Sequence, residues 1–375
     1  MFQVAVIGGG VVGSAVAHAL AARGVSIALL EAEQELALAA SGTNSGILHT
    51  GFDSPPGELE TRLILRSAAL RNDVLPRLGL PLLRCGALLR PRGEEDAPVV
   101  ARLAKVAALN GVTAELRGDG ALAVPGESVT DPVAWSLGLA RAAEAGGAEL
   151  RRGARVEAIE RDDGSLTLTL AGSERVACRV AVNCAGLHAD EVARMAGDDS
   201  FAVYPRKGEF FVFESPSGRP LEQILLPVPT QLSKGVLVFP TVDGKVVAGP
   251  TAHDQEDKHD WSVRPEAAAE VLPKARAMLP ALEEAEPVAA YAGLRPAGRG
   301  VNYLIRASAA CPGLVNVAAI RSTGLSASLG IGEHVAGIVA ELGVNVGPER
   351  QLRAQPAESG EPWWCRSARH REAAA

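Results

Sequence analysis

Apolar positions along the chain fall into two rhythms. Phe2-Gln3-Val4-Ala5-Val6-Ile7 is a short apolar run, and Gly8 to Gly13 interrupts it. An Ala- and Val-rich stretch then reaches Arg23, and a second apolar run spans Val25 to Leu30. Short runs bounded by glycine read as buried strands, so residues 2–31 predict a strand, a turn, a helix and a second strand, the length of one βαβ unit. Further helices are predicted from Glu58 to Arg77 (stopped by Pro76 and Gly79), over 97–110, from Pro132 to Ala145, over 265–278 and from Gly324 to Leu342. Residues 80–92 read as strand. Three short strands with a turn at Asp162-Asp163-Gly164 are expected between Gly147 and Ala171, then an apolar run from Val176 to Cys184. From Tyr204 to Pro250 strand follows strand, over 208–213, 223–228, 235–239 and 245–248, and strands return at 302–305 and 314–319. This order predicts two domains whose segments interleave. No repeat of 20–50 residues stands out.

Composition narrows the function classes. The chain has 375 residues, 47% hydrophobic and 22% charged, enough to bury a sizeable core. A net charge of -7 argues against nucleic acid as a partner, while leaving room for a small basic pocket that takes an anion. The five cysteines, Cys85, Cys178, Cys184, Cys311 and Cys365, form no C-x-x-C pair, so no metal centre is expected and a reducing cytoplasm is the simplest home. The apolar start lacks the basic segment of a signal peptide, and charges interrupt later apolar runs before they reach bilayer length. No transmembrane segment is expected; peripheral contact at the inner face of the membrane stays open.

Gly8-Gly9-Gly10-Val11-Val12-Gly13 is a G-x-G-x-x-G between a predicted strand and a predicted helix. Gly8 permits the tight turn, Gly10 lets backbone approach a pyrophosphate, and Gly13 lets helix and strand pack closely. Glu31 ends the second strand, where a carboxylate accepts hydrogen bonds from ribose hydroxyls. Strand, turn, helix and acid in register predict an adenine dinucleotide, NAD or FAD. There is no second such motif for a nicotinamide cofactor, and the small polar stretch from Ala39 to Gly46 suits the wrapping of a large planar cofactor.

Four segments carry a resemblance: the opening βαβ unit, Ser41-Gly42-Thr43-Asn44-Ser45-Gly46-Ile47-Leu48-His49, Val182-Asn183-Cys184-Ala185-Gly186-Leu187-His188-Ala189-Asp190, and Ala292-Gly293-Leu294-Arg295-Pro296. With them the chain resembles the D-amino-acid-oxidase-like FAD-dependent oxidoreductases over residues 2 to about 342. Within that family Pro205-Arg206-Lys207-Gly208-Glu209 and the run from Lys234 to Gly244 are similar to the glycerol-3-phosphate dehydrogenase branch. The Ser41–His49 run is shared with the L-2-hydroxyglutarate dehydrogenase branch. The resemblance implies an α/β fold: a Rossmann-like FAD-binding domain over 1–80, 150–200 and 306–346, and an interleaved substrate domain on a mixed or antiparallel β-sheet over 81–149 and 201–305. Residues 347–375, without periodicity, are expected to form a poorly packed tail.

The resemblance also implies roles. FAD is expected to bind non-covalently through Gly8, Gly10, Val12, Gly13, Glu31, Ser41, Thr43, Asn44, Ser45, Gly46, Val156, Ala185 and Gly186, with Gly324, Leu325 and Ser326 opening a helix aimed at the flavin. The expected reaction oxidises the secondary alcohol of a small anionic substrate, glycerol 3-phosphate first and L-2-hydroxyglutarate second. Such chemistry needs a base, for which an imidazole is suited near neutral pH; His49 is the expected base, and His253 the alternative. Arg295 is the expected catalytic clamp, a planar fork that pairs two donors with a phosphate or carboxylate. Arg321, Lys207 and Lys234 are expected to add positive charge beside it. The electron acceptor could be oxygen, a quinone or a redox protein. Two other readings compete: an amino-acid oxidase of the same fold, and a flavin-binding assembly factor needing neither His49 nor Arg295.

Overall fold

The structure is a computed structural model that describes residues 1–162, 164–216, 218–230, 235–354 and 360–372. Asp163, at the expected turn, and Lys234 lie outside the described residues.

The strand Phe2–Ile7 sits in the middle of the first sheet. It lies parallel to Ile27–Leu30 on one side and to Arg175–Asn183 on the other. Glu149–Arg151 extends this parallel sheet beyond Ile27–Leu30, and Leu314–Ala318 extends it beyond Arg175–Asn183. Leu304–Ala307 closes that edge antiparallel. Alternating residues of a strand point to opposite faces, so each central strand serves two cores. Val4 and Val6 pack with Val16, Leu20, Ile331 and Val335 of the helices Val11–Ala21 and Gly324–Glu341. Ala5 and Ile7 pack on the other face, against Val156, Ile159, Leu166 and Leu168 of an antiparallel ribbon. Burial on both faces explains why these strands read as continuous apolar runs.

The second sheet is mixed, with Leu225 and its neighbours in Ile224–Pro227 parallel to Ala87–Arg90 and the other pairings antiparallel. Its spine is the long pair Val203–Phe213 and Ala289–Gly298, in a register that sets Arg206 opposite Arg295 and Gly208 opposite Gly293. The first sheet thus draws strands from 2–30, 149–183 and 304–318, and the second from 87–124 and 203–298. The fold class is the one expected. Among the described residues no helix is long and apolar enough to cross a membrane.

One expectation fails. The segment beyond 347 is not poorly packed where it is described. Gly347 and Arg350 donate backbone hydrogen bonds to the carbonyls of Arg23 and Ala22. Trp363–Glu372 is a helix, and Trp363 is buried with its ring edge-on to Tyr291 at 5.4 Å. Trp364 donates to Asp243 at 3.0 Å, Arg366 to the Leu36 carbonyl at 2.9 Å, and Ser367 to the Gly42 carbonyl. Two adjacent indoles bury enough surface to dock a short helix that shows no apolar periodicity.

Candidate active site

A cavity of about 1020 Å3 is walled by residues of both sheets. Its floor is the glycine turn. Gly8 has φ +106, and a Cβ there would lie 2.5 Å from the Cys184 carbonyl oxygen; a Cβ on Gly13 would lie 1.9 Å from the Gly8 carbonyl oxygen. Those two glycines are demanded by backbone packing, and Gly13 does not face the cavity. Gly10 differs: a Cβ there would meet only the Ser41 hydroxyl, at 2.9 Å. The space in front of Gly10 is therefore open on the cavity side, at the N-terminus of a helix with no side-chain cap of its own. Ser41 accepts from the backbone of Val11 at 2.9 Å, and the Glu31 carboxylate accepts from Gly9 at 2.6 Å and from Glu33 at 2.9 Å. Burial pushes the Glu31 carboxyl above its ordinary value, and the Glu33 and Gly9 N–H groups hold it partly back. Val156, Ala185 and Gly186 line the same space, as do Val12, Thr43, Asn44 and Ser45.

The far wall includes Gly324 and Leu325, at the N-terminus of the helix Gly324–Glu341. Its N-cap residue, Thr323, does not cap it; the hydroxyl turns instead to Glu60 at 2.6 Å and Tyr303 at 2.7 Å. An open Gly10, an acceptor carboxylate and two helix N-termini facing one cavity form a donor and acceptor set that fits an adenine dinucleotide. Besides Gly13, two expected contacts are not on the wall. Gly46 serves the loop, with φ +77 and its N–H on Asn44 Oδ1 at 2.9 Å. Ser326 accepts from the backbone N–H of His49 at 2.9 Å, so it fixes the loop that carries His49.

His49 lines the cavity, and its Nδ1 lies 2.9 Å from Glu127 Oε2. Glu127 is fully buried, and its other oxygen accepts from the Thr50 backbone at 2.6 Å and the Thr50 hydroxyl at 2.8 Å. Buried Arg71 donates to the carbonyls of Leu48 at 3.1 Å and Gly126 at 2.9 Å, tying the two loops together. Sequence reasoning missed both Glu127 and Arg71, which lie 78 and 22 positions from His49 with no motif around them.

Arg295 also lines the cavity, but its fork is largely committed. Nε donates to the Arg206 carbonyl at 3.0 Å, and Nη2 to the carbonyls of Lys207 at 3.0 Å and Thr251 at 2.9 Å. Nη1 alone has no partner among the described residues. The bidentate clamp expected from the sequence is reduced to this one nitrogen with its two hydrogens. Burial, and then the charges of Arg206 and Arg321, hold the Arg295 guanidinium below its ordinary pKa. Arg321 lines the cavity and forms no ion pair among the described residues, and Arg206 lines it while bound to Asp254 at 2.7 Å.

Two expected substrate contacts lie elsewhere. Lys207 is buried on the opposite face of its strand from Arg206 and Gly208, with its ammonium on Asp260 at 2.7 Å and the Ser262 carbonyl at 3.0 Å. Strand alternation puts Arg206 on the cavity side in its place. His253 is not on the wall; its Nε2 pairs with Glu270 at 2.9 Å. Among the described residues no group of three or more His, Cys, Asp or Glu side chains is placed to hold a metal ion.

A family profile described as DAO, FAD dependent oxidoreductase, matches residues 3–338. The chain is 27% identical over 358 residues to a glycerol 3-phosphate dehydrogenase of Caloramator mitchellensis, across 91% of this chain and 74% of that protein. It is 28% identical over 276 residues to the mitochondrial L-2-hydroxyglutarate dehydrogenase of Mus musculus, across 66% of this chain and 60% of the relative. Among solved structures, the dithionite-reduced L-alpha-glycerophosphate oxidase of Mycoplasma pneumoniae with FAD bound is similar over 95% of this chain and 97% of that one, at 25% identity and a TM-score of 0.84.

Proposed function

The chain belongs to the DAO family of FAD-dependent oxidoreductases, with FAD as its cofactor, and from that premise we propose that it oxidises the secondary alcohol of a small dianion to a ketone. Glycerol 3-phosphate is the substrate put forward, with L-2-hydroxyglutarate as the alternative. The observation that carries this reading is a charge imbalance. Arg206, Arg295 and Arg321 line one cavity, and Asp254 is the only carboxylate bonded to any of them among the described residues. Within this arginine cluster, set apart from the carboxylates elsewhere on the wall, three cations less one anion leave a local surplus of two positive charges, which a dianion neutralises and a zwitterionic amino acid does not. The relatives named for glycerol 3-phosphate match nearly the whole chain, which favours a phosphate over a second carboxylate.

Bound FAD supplies the two-electron acceptor that the oxidation requires. Gly10 and the N-terminus of the helix behind it receive the pyrophosphate, and Glu31 accepts the ribose hydroxyls. Arg295 Nη1 and Arg321 hold the dianionic head, with Arg206 adding charge from the neighbouring strand. His49 takes the hydroxyl proton at Nε2, the ring nitrogen that Glu127 leaves unengaged. The N–H groups opening the helix at Gly324 offer positive partial charge to any anion that develops beside them.

The test is anaerobic bleaching of the flavin by a panel of glycerol 3-phosphate, L-2-hydroxyglutarate and neutral amino acids. Bleaching by a dianionic alcohol is expected. Bleaching by amino acids alone would replace this reading with an amine oxidase of the same fold. Reoxidation of the bleached protein by oxygen, a quinone or a redox protein then identifies the acceptor.

A further inference from the structure

Glu127 does not line the cavity, yet both of its carboxylate oxygens are engaged. It sits in the turn between Leu122–Val124 and Ser128–Val129, and the second of these strands pairs antiparallel with Ile47–Leu48. Ile47 faces Val129 and Leu48 faces Ser128. Continuing that register by one position sets His49 across from Glu127, so backbone pairing delivers the carboxylate to the imidazole. A Cβ on Gly126 would stand 2.9 Å from Thr50 Cγ2, so a side chain at that position would push the two loops apart.

We propose that Glu127 is the positioning residue of His49: it holds the proton on Nδ1 and thereby turns the Nε2 lone pair to the cavity as the proton acceptor. This rests on the reading of His49 as the base. The contacts of Glu127 fit an acceptor at both oxygens. Oε1 faces two donors, the Thr50 N–H and hydroxyl, and Oε2 faces only His49 Nδ1. The competing arrangement protonates Oε2 and reverses that bond, which would leave His49 with its proton on Nε2 and unable to accept another. Burial lowers the Arg71 guanidinium beside both loops, and the charge of Glu127 acts to hold it up. A carboxylate so placed also stabilises the imidazolium formed when Nε2 gains the substrate proton, the logic by which an aspartate serves the histidine of a hydrolase triad.

The experiment is read first on the oxidised holoprotein without substrate. In 15N-histidine-labelled protein, with His49 assigned by its loss in His49→Ala, Nδ1 is expected in the protonated and Nε2 in the unprotonated region. Glu127→Gln presents an amide donor to Nδ1 and is expected to exchange the two. The same variant should keep its FAD while anaerobic flavin reduction by the best substrate falls roughly 100- to 10,000-fold. Because Glu127 acts only through His49, the double variant with His49→Ala should be no slower than His49→Ala alone. A wild-type His49 protonated on Nε2 overturns the proposal, and needs no variant to be seen. Losses that multiply in the double variant overturn it too. Failure of the base reading shows separately, as a His49→Ala protein that reduces flavin at the wild-type rate.

Discussion

Gly208 leaves the space that the Arg295 guanidinium occupies: a Cβ there would stand 3.0 Å from Arg295 Nη2 and 2.9 Å from Pro250 Cβ. Gly208 sits on the strand that supplies two of the three carbonyls holding Arg295. Gly208→Ala should therefore displace the guanidinium at an overpacking cost of about 1–3 kcal/mol. KM for the anionic substrate should rise with FAD content unchanged. Steady-state kinetics beside flavin absorbance per chain checks it, and an unchanged KM would detach Arg295 from substrate binding.

Arg206 and Lys207 are adjacent and should behave in opposite ways. Arg206→Gln removes a positive charge beside the anion and should raise KM roughly 10-fold, with little effect on Tm. Lys207→Met strips Asp260 of its ammonium partner, so it should lower Tm and leave KM alone. Kinetics and thermal melts on both variants decide it. The reverse pattern would mean that the strand presents its other face.

The surplus charge predicts stabilisation by simple anions. Inorganic phosphate added to the holoprotein should raise Tm, by about 2.7 kcal/mol of stability at a hundred times its Kd. Arg321→Gln should blunt the shift. An equal response in wild type and variant would place the anion elsewhere.

These contrasts show where the sequence was legible. Gly8 to Gly13, Glu31 and the loop reaching His49 could be read because their chemistry is local: a turn, a helix terminus and a strand end close together in the chain. The choice of Lys207 over Arg206 failed because a β-strand reverses faces at each residue, and nothing in Pro205-Arg206-Lys207-Gly208 says which face meets the cavity. That parity is set by pairing with Ala289–Gly298, some ninety positions on. Glu127 was invisible for a related reason, since two strands of two residues each bring it to His49. The docking of Trp363 escaped notice because its ring partner Tyr291, itself stacked on Phe210, lies in a distant sheet.

The glycine turn offers a test that separates cofactor from fold. A Cβ at Gly10 meets only one side-chain hydroxyl and Gly10 lines the cavity, so Gly10→Val is expected to fold while its methyls fill the space in front of the turn and FAD is lost. Circular dichroism beside flavin absorbance checks both halves. A yellow Gly10→Val protein would remove the pyrophosphate from this position.

Glu31 gives the pH dependence. Its carboxyl is raised by burial, so as pH falls it gains a proton earlier than an exposed glutamate and stops accepting from ribose. FAD affinity should be full near neutral pH and decline as pH approaches the carboxylate range from above. Glu31→Gln should bind more weakly at neutral pH and lose that slope. Fluorescence of released FAD across pH measures it, and a wild-type curve without the slope would take Glu31 off the ribose.

The bond from Ser367 to the Gly42 carbonyl joins positions 325 residues apart. On a ribosome adding about 5–20 residues per second, the nucleotide turn emerges tens of seconds before the helix that fastens the loop beside it. During that interval the opening βαβ unit is present with its flanking loop unsecured on the side where Arg366 and Ser367 later hold Leu36 and Gly42. Fastening of that loop is thus a late event relative to the synthesis of the turn it flanks. A nascent polypeptide can meet its cofactor early, but the loop beside the glycine turn is clasped only after Arg366 and Ser367 have been added.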